Sequence, residues 1–225
     1  MKNIVKSIPI IGSVAKLLYR KLINPTKAFT TSKNYWVERY ANDGNSGNGS
    51  YGKYAEYKSE VINKFVKKEG IKTIIEYGSG DGNQLKLSDY PKYTGFDVSP
   101  IAISQCRKLF ANDNSKTFKL IEEYEGEKAQ LTLSLEVIFH LVEDEIFLEH
   151  MNKLFESSEM FVIIFSSNTD KISNDPHVRH RNFSAWINEN RPNWNLYERI
   201  PNKYPYNEET GEGGFSDFYI YKLGA

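Results

Sequence analysis

Apolar positions along the chain recur at two spacings, and the switch between them marks out the elements. Over residues 54–68, Val61, Ile62, Phe65 and Val66 form one helical stripe, which Gly70 ends. Residues 72–77 (Lys-Thr-Ile-Ile-Glu-Tyr) are a short β-branched run; 93–98 are another and 117–121 a weaker third. Residues 130–135 and 160–166 complete five candidate strands, with helical patterns at 100–111 and 143–155. Strands alternating with helices predict an α/β sheet with a parallel core, because parallel neighbours need crossover connections. The last third differs. A helix near 183–190 precedes two strands, 194–200 and 215–223, joined by a Pro/Gly-rich loop. With no helix between them, these two are expected to pair antiparallel at one edge of the sheet. Residues 41–52 hold four glycines among Asn and Ser and read as a loop.

The 225 residues, 40% hydrophobic and 26% charged, are enough for one sizeable core without disulfide or metal staples. Cys106 is the single cysteine, which fits a reducing, cytoplasmic setting. The formal charge is zero, but it is unevenly distributed. Lys2, Lys6, Lys16, Arg20, Lys21, Lys27 and Lys33 precede the first acid, Glu38; removing these seven from 29 bases leaves 22 against 29 acids, about −7 over residues 38–225. Val14, Leu17, Leu18 and Leu22 share a helical face within this basic stretch. Residues 1–30 are therefore read as a basic amphipathic extension, which either packs on protein or contacts an anionic membrane surface through residues 1–25 at its cytoplasmic side. The acidic remainder argues against a nucleic-acid partner. It divides into a 31–70 helical or lid segment and a 71–225 core.

The chemistry centres on Glu76-Tyr77-Gly78-Ser79-Gly80-Asp81-Gly82-Asn83, glycines that follow an apolar strand and precede an expected helix. Such a turn lets a ligand approach backbone N–H groups closely. A dinucleotide fingerprint would have Gly where Asn83 stands, and a P-loop would need Gly-Lys-Ser/Thr. Asp97 ends the second strand, where a carboxylate can accept both hydroxyls of a ribose. Together with Leu133-Ser134-Leu135-Glu136-Val137-Ile138-Phe139-His140-Leu141, these three ordered motifs resemble class I S-adenosylmethionine (SAM)-dependent methyltransferases. The resemblance implies a Rossmann-like class I methyltransferase sheet with a parallel core, an antiparallel C-terminal edge and helices on both faces. It further implies that Glu76, Gly78, Ser79, Gly80, Asp81 and Gly82 hold the methionyl part, Asp97 the ribose and Val98 the adenine, with Ser134 alongside. Glu122, Glu123 and Glu125 compete for the adenine-binding acid.

The aromatic-rich segment upstream, with Tyr35, Trp36, Arg39, Tyr40, Ser46, Gly47 and Tyr51, is expected to close over the cofactor, since aromatic faces suit a sulfonium. Tyr40, Ser46 and Gly47 are placed at the cofactor and Tyr51 at the acceptor. Methyl transfer to oxygen needs a proton removed or the oxygen polarised by a metal. His140, past the fourth strand, is the first candidate base; His177 and His180 follow, with Glu136 beside them. His150 is expected to be structural or exposed. A divalent metal on Glu136, His140 and His177 or His180 is an open alternative, weakened by Phe139 where small-RNA 2′-O-methyltransferases have a second ligand. Arg179 and Arg181, in the 177–181 His/Arg cluster, are expected on the acceptor side, suited to phosphate or carboxylate. As a whole the chain looks like small methyltransferases of bacterial surface-polysaccharide (capsule or O-antigen) biosynthesis, which implies O-methylation of a sugar, a glycan or a sugar-linked phosphate. The alternatives are a noncatalytic SAM-fold assembly partner and an NAD(P)-dependent oxidoreductase.

Overall fold

A computed structural model describes residues 29–224, so the expected basic extension lies almost wholly outside the described residues. Residues 31–224 belong to one compact unit. In chain order its elements are α1 (Ser32–Ala41), α2 (Gly52–Glu69), β1 (Thr73–Tyr77), β2 (Lys92–Asp97), α3 (Pro100–Leu109), β3 (Lys116–Leu120), β4 (Ala129–Leu135), α4 (Asp144–Glu156), β5 (Ser158–Ser166), α5 (Phe183–Asn190), β6 (Trp194–Ile200) and β7 (Asp217–Leu223). Among the described residues no helix is long and apolar enough to cross a membrane.

The seven strands form one sheet in the order β3-β2-β1-β4-β5-β7-β6. Strands β1 to β5 pair in parallel, whereas β7 pairs antiparallel with both β5 and β6. The expected antiparallel edge is present, with β7 inserted between β5 and β6 as the reversed strand. The order changes direction at β1/β4, the place where open α/β sheets bind ligands beyond the carboxyl ends of their strands.

Period-two alternation sends each strand's residues to opposite faces. Ile74 joins a core with Ile62, Phe65 and Val66 of α2 and Ile103 and Cys106 of α3. Its neighbours Ile75 and Tyr77 join the other core, with Phe147, Met151 and Leu154 of α4 and Phe183 and Ile187 of α5. Helices thus cover both faces. Helix α2 ends in a left-handed Gly70 (φ 68°), a conformation that costs other residues about 1–2 kcal/mol. Helix α3 starts on a Ser99 cap with Pro100 in its first turn.

One expected element is different. The glycine loop leads not into an α-helix but into a single 3-10 turn, Gln84–Leu87. The chain must then return through Ser88-Asp89-Tyr90-Pro91 to start β2 at Lys92, which leaves no room for a full helix. Helix α2 and this turn fill the space instead: Tyr57, Ile62, Leu85 and Tyr90 belong to one buried cluster.

Candidate active site

At the carboxyl edge, by the β1/β4 reversal, lies a cavity of about 360 Å³, within the range of small-ligand sites. Its floor is the glycine loop. Gly78 has φ 87° and Gly80 φ 59°, and a side chain on either would collide: Cβ at 78 would lie 2.4 Å from Val137 Cγ2, and at 80, 2.3 Å from Ser46 Oγ. Gly82 serves a different purpose, since its Cβ would press on Cys106 and Phe110 behind the loop. Asp97 is buried at the β2 end, accepting N–H from Gly80 and Ser99 at 2.9 Å each. Burial pushes its carboxyl above the usual range, against those N–H bonds. Val98, Ile121 and Glu122 continue the wall. Of the three competing acids, Glu122 is the one that lines the cavity, paired with Lys33; Glu123 instead accepts from the Leu120 N–H.

Residues 31–51 strap the cavity from the other side. Ser32 anchors α1 to Glu143 through its N–H (2.9 Å) and hydroxyl (2.5 Å). Farther along, Tyr40 Oη and Ser46 Oγ are 2.9 Å apart. Ser46 and Asp81 bond reciprocally, backbone N–H to side chain, at 3.0 Å each, and Tyr51 Oη donates to Asp81 at 2.7 Å. Burial raises the Asp81 pKa, but the Tyr51 hydroxyl and the Ser46 and Asn83 N–H groups outweigh it, so the carboxyl is held low. Asp81 is thus the latch between strap and glycine loop. Tyr51, expected at the acceptor, is committed to that latch and does not line the cavity; Gly47, expected at the cofactor, turns the strap (φ 87°) without lining it. Arg39 is held within the strap by Asn45 O (2.6 Å) and Tyr35 Oη (3.1 Å).

The inner end of the cavity is polar. Glu76 is buried, accepts from Tyr93 Oη at 2.7 Å, and burial pushes its pKa up to about 7 against the Tyr93 hydroxyl and the Lys58 charge. Lys58, 1% exposed, points from α2 to Glu136 Oε2 at 2.7 Å. Glu136 is left-handed (φ 58°), and Gly49 of the strap lies so close that a Cβ there would fall 2.0 Å from Oε2. Glu136, expected beside the catalytic histidines, lines the cavity as the partner of this buried cation. Two buried polar atoms lining this end, Ser79 Oγ and Gln84 Oε1, have no hydrogen-bond partner among the described residues. Unsatisfied buried polar atoms are costly and mark places where a ligand fits. Glu76 and Gln84 Oε1 suit an ammonium and Lys58 a carboxylate, the two ends of an α-amino acid.

Toward the outer end stand Trp36, His140, Leu141 and His150. His140 Nδ1 lies 3.1 Å from the His177 carbonyl oxygen, which can only accept, so Nδ1 carries the proton and Nε2 keeps its lone pair. Burial lowers the His140 pKa to about 4, leaving the ring neutral at physiological pH. Trp36 meets it edge-on at 5.0 Å, and His177 stacks on Tyr35 at 4.4 Å. His177 therefore positions His140 without itself lining the cavity. His180 is bonded to Ser167 Oγ at 2.6 Å, also outside the lining. The two arginines face elsewhere. Arg181 binds Asp144 (2.6 Å) and the Leu141 and Val142 carbonyls (both 3.0 Å), and Arg179 binds the same Asp144 (3.0 Å). They clamp the segment after His140 instead of lining the cavity. Among the described residues no group of three His, Cys, Asp or Glu could hold a metal ion.

Sequence reasoning missed Lys58 and expected His150 to be structural or exposed, without placing it at the cavity. His150 lines the cavity, hydrogen-bonded to Ser134 Oγ at 2.9 Å, with burial and the Lys153 charge lowering its pKa to about 4. A signal existed for both. Lys58 stands in register with Ile62 and Phe65 on the apolar stripe of α2, and Ile146, His150 and Lys153 share one face of α4.

No family model matches the chain, and no curated protein matches it. Solved structures do. N-methyltransferase NodS from Bradyrhizobium japonicum WM9, in complex with S-adenosyl-L-homocysteine, is similar with a TM-score of 0.68 and 14% identity, over 87% of this chain and 100% of that one. Magnesium protoporphyrin IX methyltransferase ChlM from Synechocystis PCC 6803, with bound SAM, gives 0.59 at 13% identity, over 89% and 100%. The methyltransferase domain of bacterial CtHen1-C gives 0.59 at 17%, over 76% and 98%. At these identities the likeness establishes the fold, a Rossmann-like methyltransferase sheet.

Proposed function

We propose that the chain binds SAM in this cavity and transfers its methyl group to a hydroxyl of a neutral acceptor, a sugar or glycan of the kind found in bacterial surface polysaccharides. The observation that carries the reading is the cavity itself: a collision-limited glycine floor and Asp97 at one side, unsatisfied acceptors beside Glu76 and Lys58 at the inner end, and neutral His140 at the outer end. Glu76, Gln84 and Lys58 would hold the amino-acid end, Asp97 the ribose, and Val98, Ile121 and Glu122 the base. When bound, SAM supplies an activated methyl group on a sulfonium that loses its charge on transfer. The protein supplies alignment between floor and strap, exclusion of water by Trp36 and Tyr40, and proton acceptance at His140 Nε2. The engagement of both arginines by Asp144 favours an uncharged acceptor over a phosphate-bearing one.

Calorimetric titration with S-adenosyl-L-homocysteine tests the cofactor half, with binding expected for the native chain and lost in Asp97→Ala. Mass spectrometry for a methylene-unit gain on candidate sugars tests the acceptor half. Absence of binding by the native chain would overturn the reading.

A further inference from the structure

A line of aromatic rings leaves the outer end of the cavity and runs to the surface. From His140 it passes to Phe139 (4.5 Å between ring centres), then His180 (6.2 Å), Phe215 (5.9 Å) and Tyr206 (4.4 Å). These rings come from three loops at the same carboxyl edge: after β4, after β5, and between β6 and β7. The last two large side chains are well exposed, Phe215 at 62% and Tyr206 at 40%. Exposed aromatic surface joined to a ligand cavity is a mark of binding.

The shelf is built, not incidental. The segment between β6 and β7 folds back on itself, with Tyr206 N–H to Gly214 O (3.0 Å), Asn207 N–H to Glu212 O (2.8 Å) and Gly214 N–H to Tyr204 O (3.0 Å). Gly213 has φ 97°, and a Cβ there would fall 2.2 Å from Pro205 O, so this turn presenting Phe215 beside Tyr206 needs glycine. His180 is fixed through Nδ1 on Ser167, which keeps Nε2 for other bonds. The nearby guanidinium groups are neutralised on Asp144.

Building on the proposed function, we infer that this line is an acceptor subsite for an extended neutral glycan, several sugar units long, whose terminal unit is the one presented to His140. Successive rings spaced on the scale of one pyranose offer flat apolar faces to the C–H faces of sugars. The Tyr206 hydroxyl and His180 Nε2 meet sugar hydroxyls, and the guanidinium groups of Arg179 and Arg181 are already paired with Asp144 rather than offered to a phosphate. The acceptor is accordingly an oligosaccharide or growing chain, and a preceding glycosyl-transfer reaction must supply it.

The test uses the full chain with S-adenosyl-L-homocysteine bound, whose own calorimetric titration reports separately on the cofactor site. An arrayed panel of neutral and acidic saccharides, from monosaccharides upward, supplies the probes. Neutral trisaccharides or longer chains should be retained over monosaccharides and acidic chains. The Tyr206→Ala/Phe215→Ala double variant should lose about tenfold in that affinity with unchanged cofactor binding, and Phe215→Trp should keep it. Intact cofactor binding with no saccharide retained, or with equal retention by the double variant, would overturn the subsite while leaving the cofactor site standing. Loss of cofactor binding in the double variant would show that these rings support the fold, which also overturns it.

Discussion

The two ends of the cavity are built in different ways. The glycine end is made by neighbours in sequence: Glu76, Gly78, Gly80 and Asp97 lie on one strand-turn-strand unit, and two backbone N–H groups of that unit fix Asp97. The outer end is made by strangers. His140 sits on a short turn after β4, is held by a carbonyl 37 positions later, and faces Trp36 of the strap. A local unit can be anchored by backbone geometry, but an assembled wall depends on each loop holding the next. The glycine end should therefore answer to pH and charge, and the outer end to single side chains.

The largest effect is expected at the outer end. His140→Gln keeps an N–H donor for the His177 carbonyl but removes the Nε2 lone pair, so kcat should fall about 10²–10⁴-fold with cofactor affinity unchanged. In the native chain, burial places the acid limb of kcat near pH 4 instead of 6.5, since a depressed pKa keeps the base unprotonated until the medium is more acidic. Full turnover in His140→Gln would leave alignment alone as the source of rate and erase the contrast between the two ends.

That contrast also explains what could be read from the chain. Strand β1, the glycines and Asp97 announce themselves because their chemistry and their positions are both local. Ser46 was legible as part of an aromatic strap, yet its reciprocal bond with Asp81 was not, because nothing in either segment specifies the other. The arginines at 179 and 181 carried the charge expected of an acceptor wall. Their partner Asp144 begins α4, and only the folded chain shows that its carboxylate is aimed back at them. The missing helix after Gly82 was a matter of length: the return to β2 comes too soon, a constraint visible in the spacing but weaker than the motif that argued for a helix.

A middle-sized effect is expected at the glycine end. Glu76 has a folded pKa of about 7 against 4.5, so the folded chain keeps a proton that the unfolded chain has already lost. Stability from this group is fully present below pH 4.5 and is lost as pH rises through 7, by up to about 3 kcal/mol. His140 and His150 act in the opposite sense: with folded values near 4, their contribution is present above 6.5 and lost as pH falls through 4. Glu76→Gln should thus gain stability relative to the native chain at pH 8 and much less at pH 5, read by urea denaturation at both. The same variant should bind S-adenosyl-L-homocysteine more weakly at pH 8, where native Glu76 is ionised opposite an ammonium. An equal stability difference at both pH values would mean that Glu76 titrates as an ordinary carboxyl.

The smallest effect is expected where the sequence placed acceptor chemistry. Arg179 is 47% exposed and its partner Asp144 61% exposed, so solvent screens their attraction. Its other bond, to the Val142 carbonyl, duplicates one already made by Arg181. Arg179→Ala should cost no more than about 1 kcal/mol in stability and leave the acceptor KM within about twofold, because Arg181 alone still holds the segment behind His140. A tenfold rise in KM with unchanged kcat would return the arginine to the acceptor and make the outer wall an anion site. Such a result would also count against the neutral glycan, since it would show the guanidinium turned from Asp144 toward the acceptor.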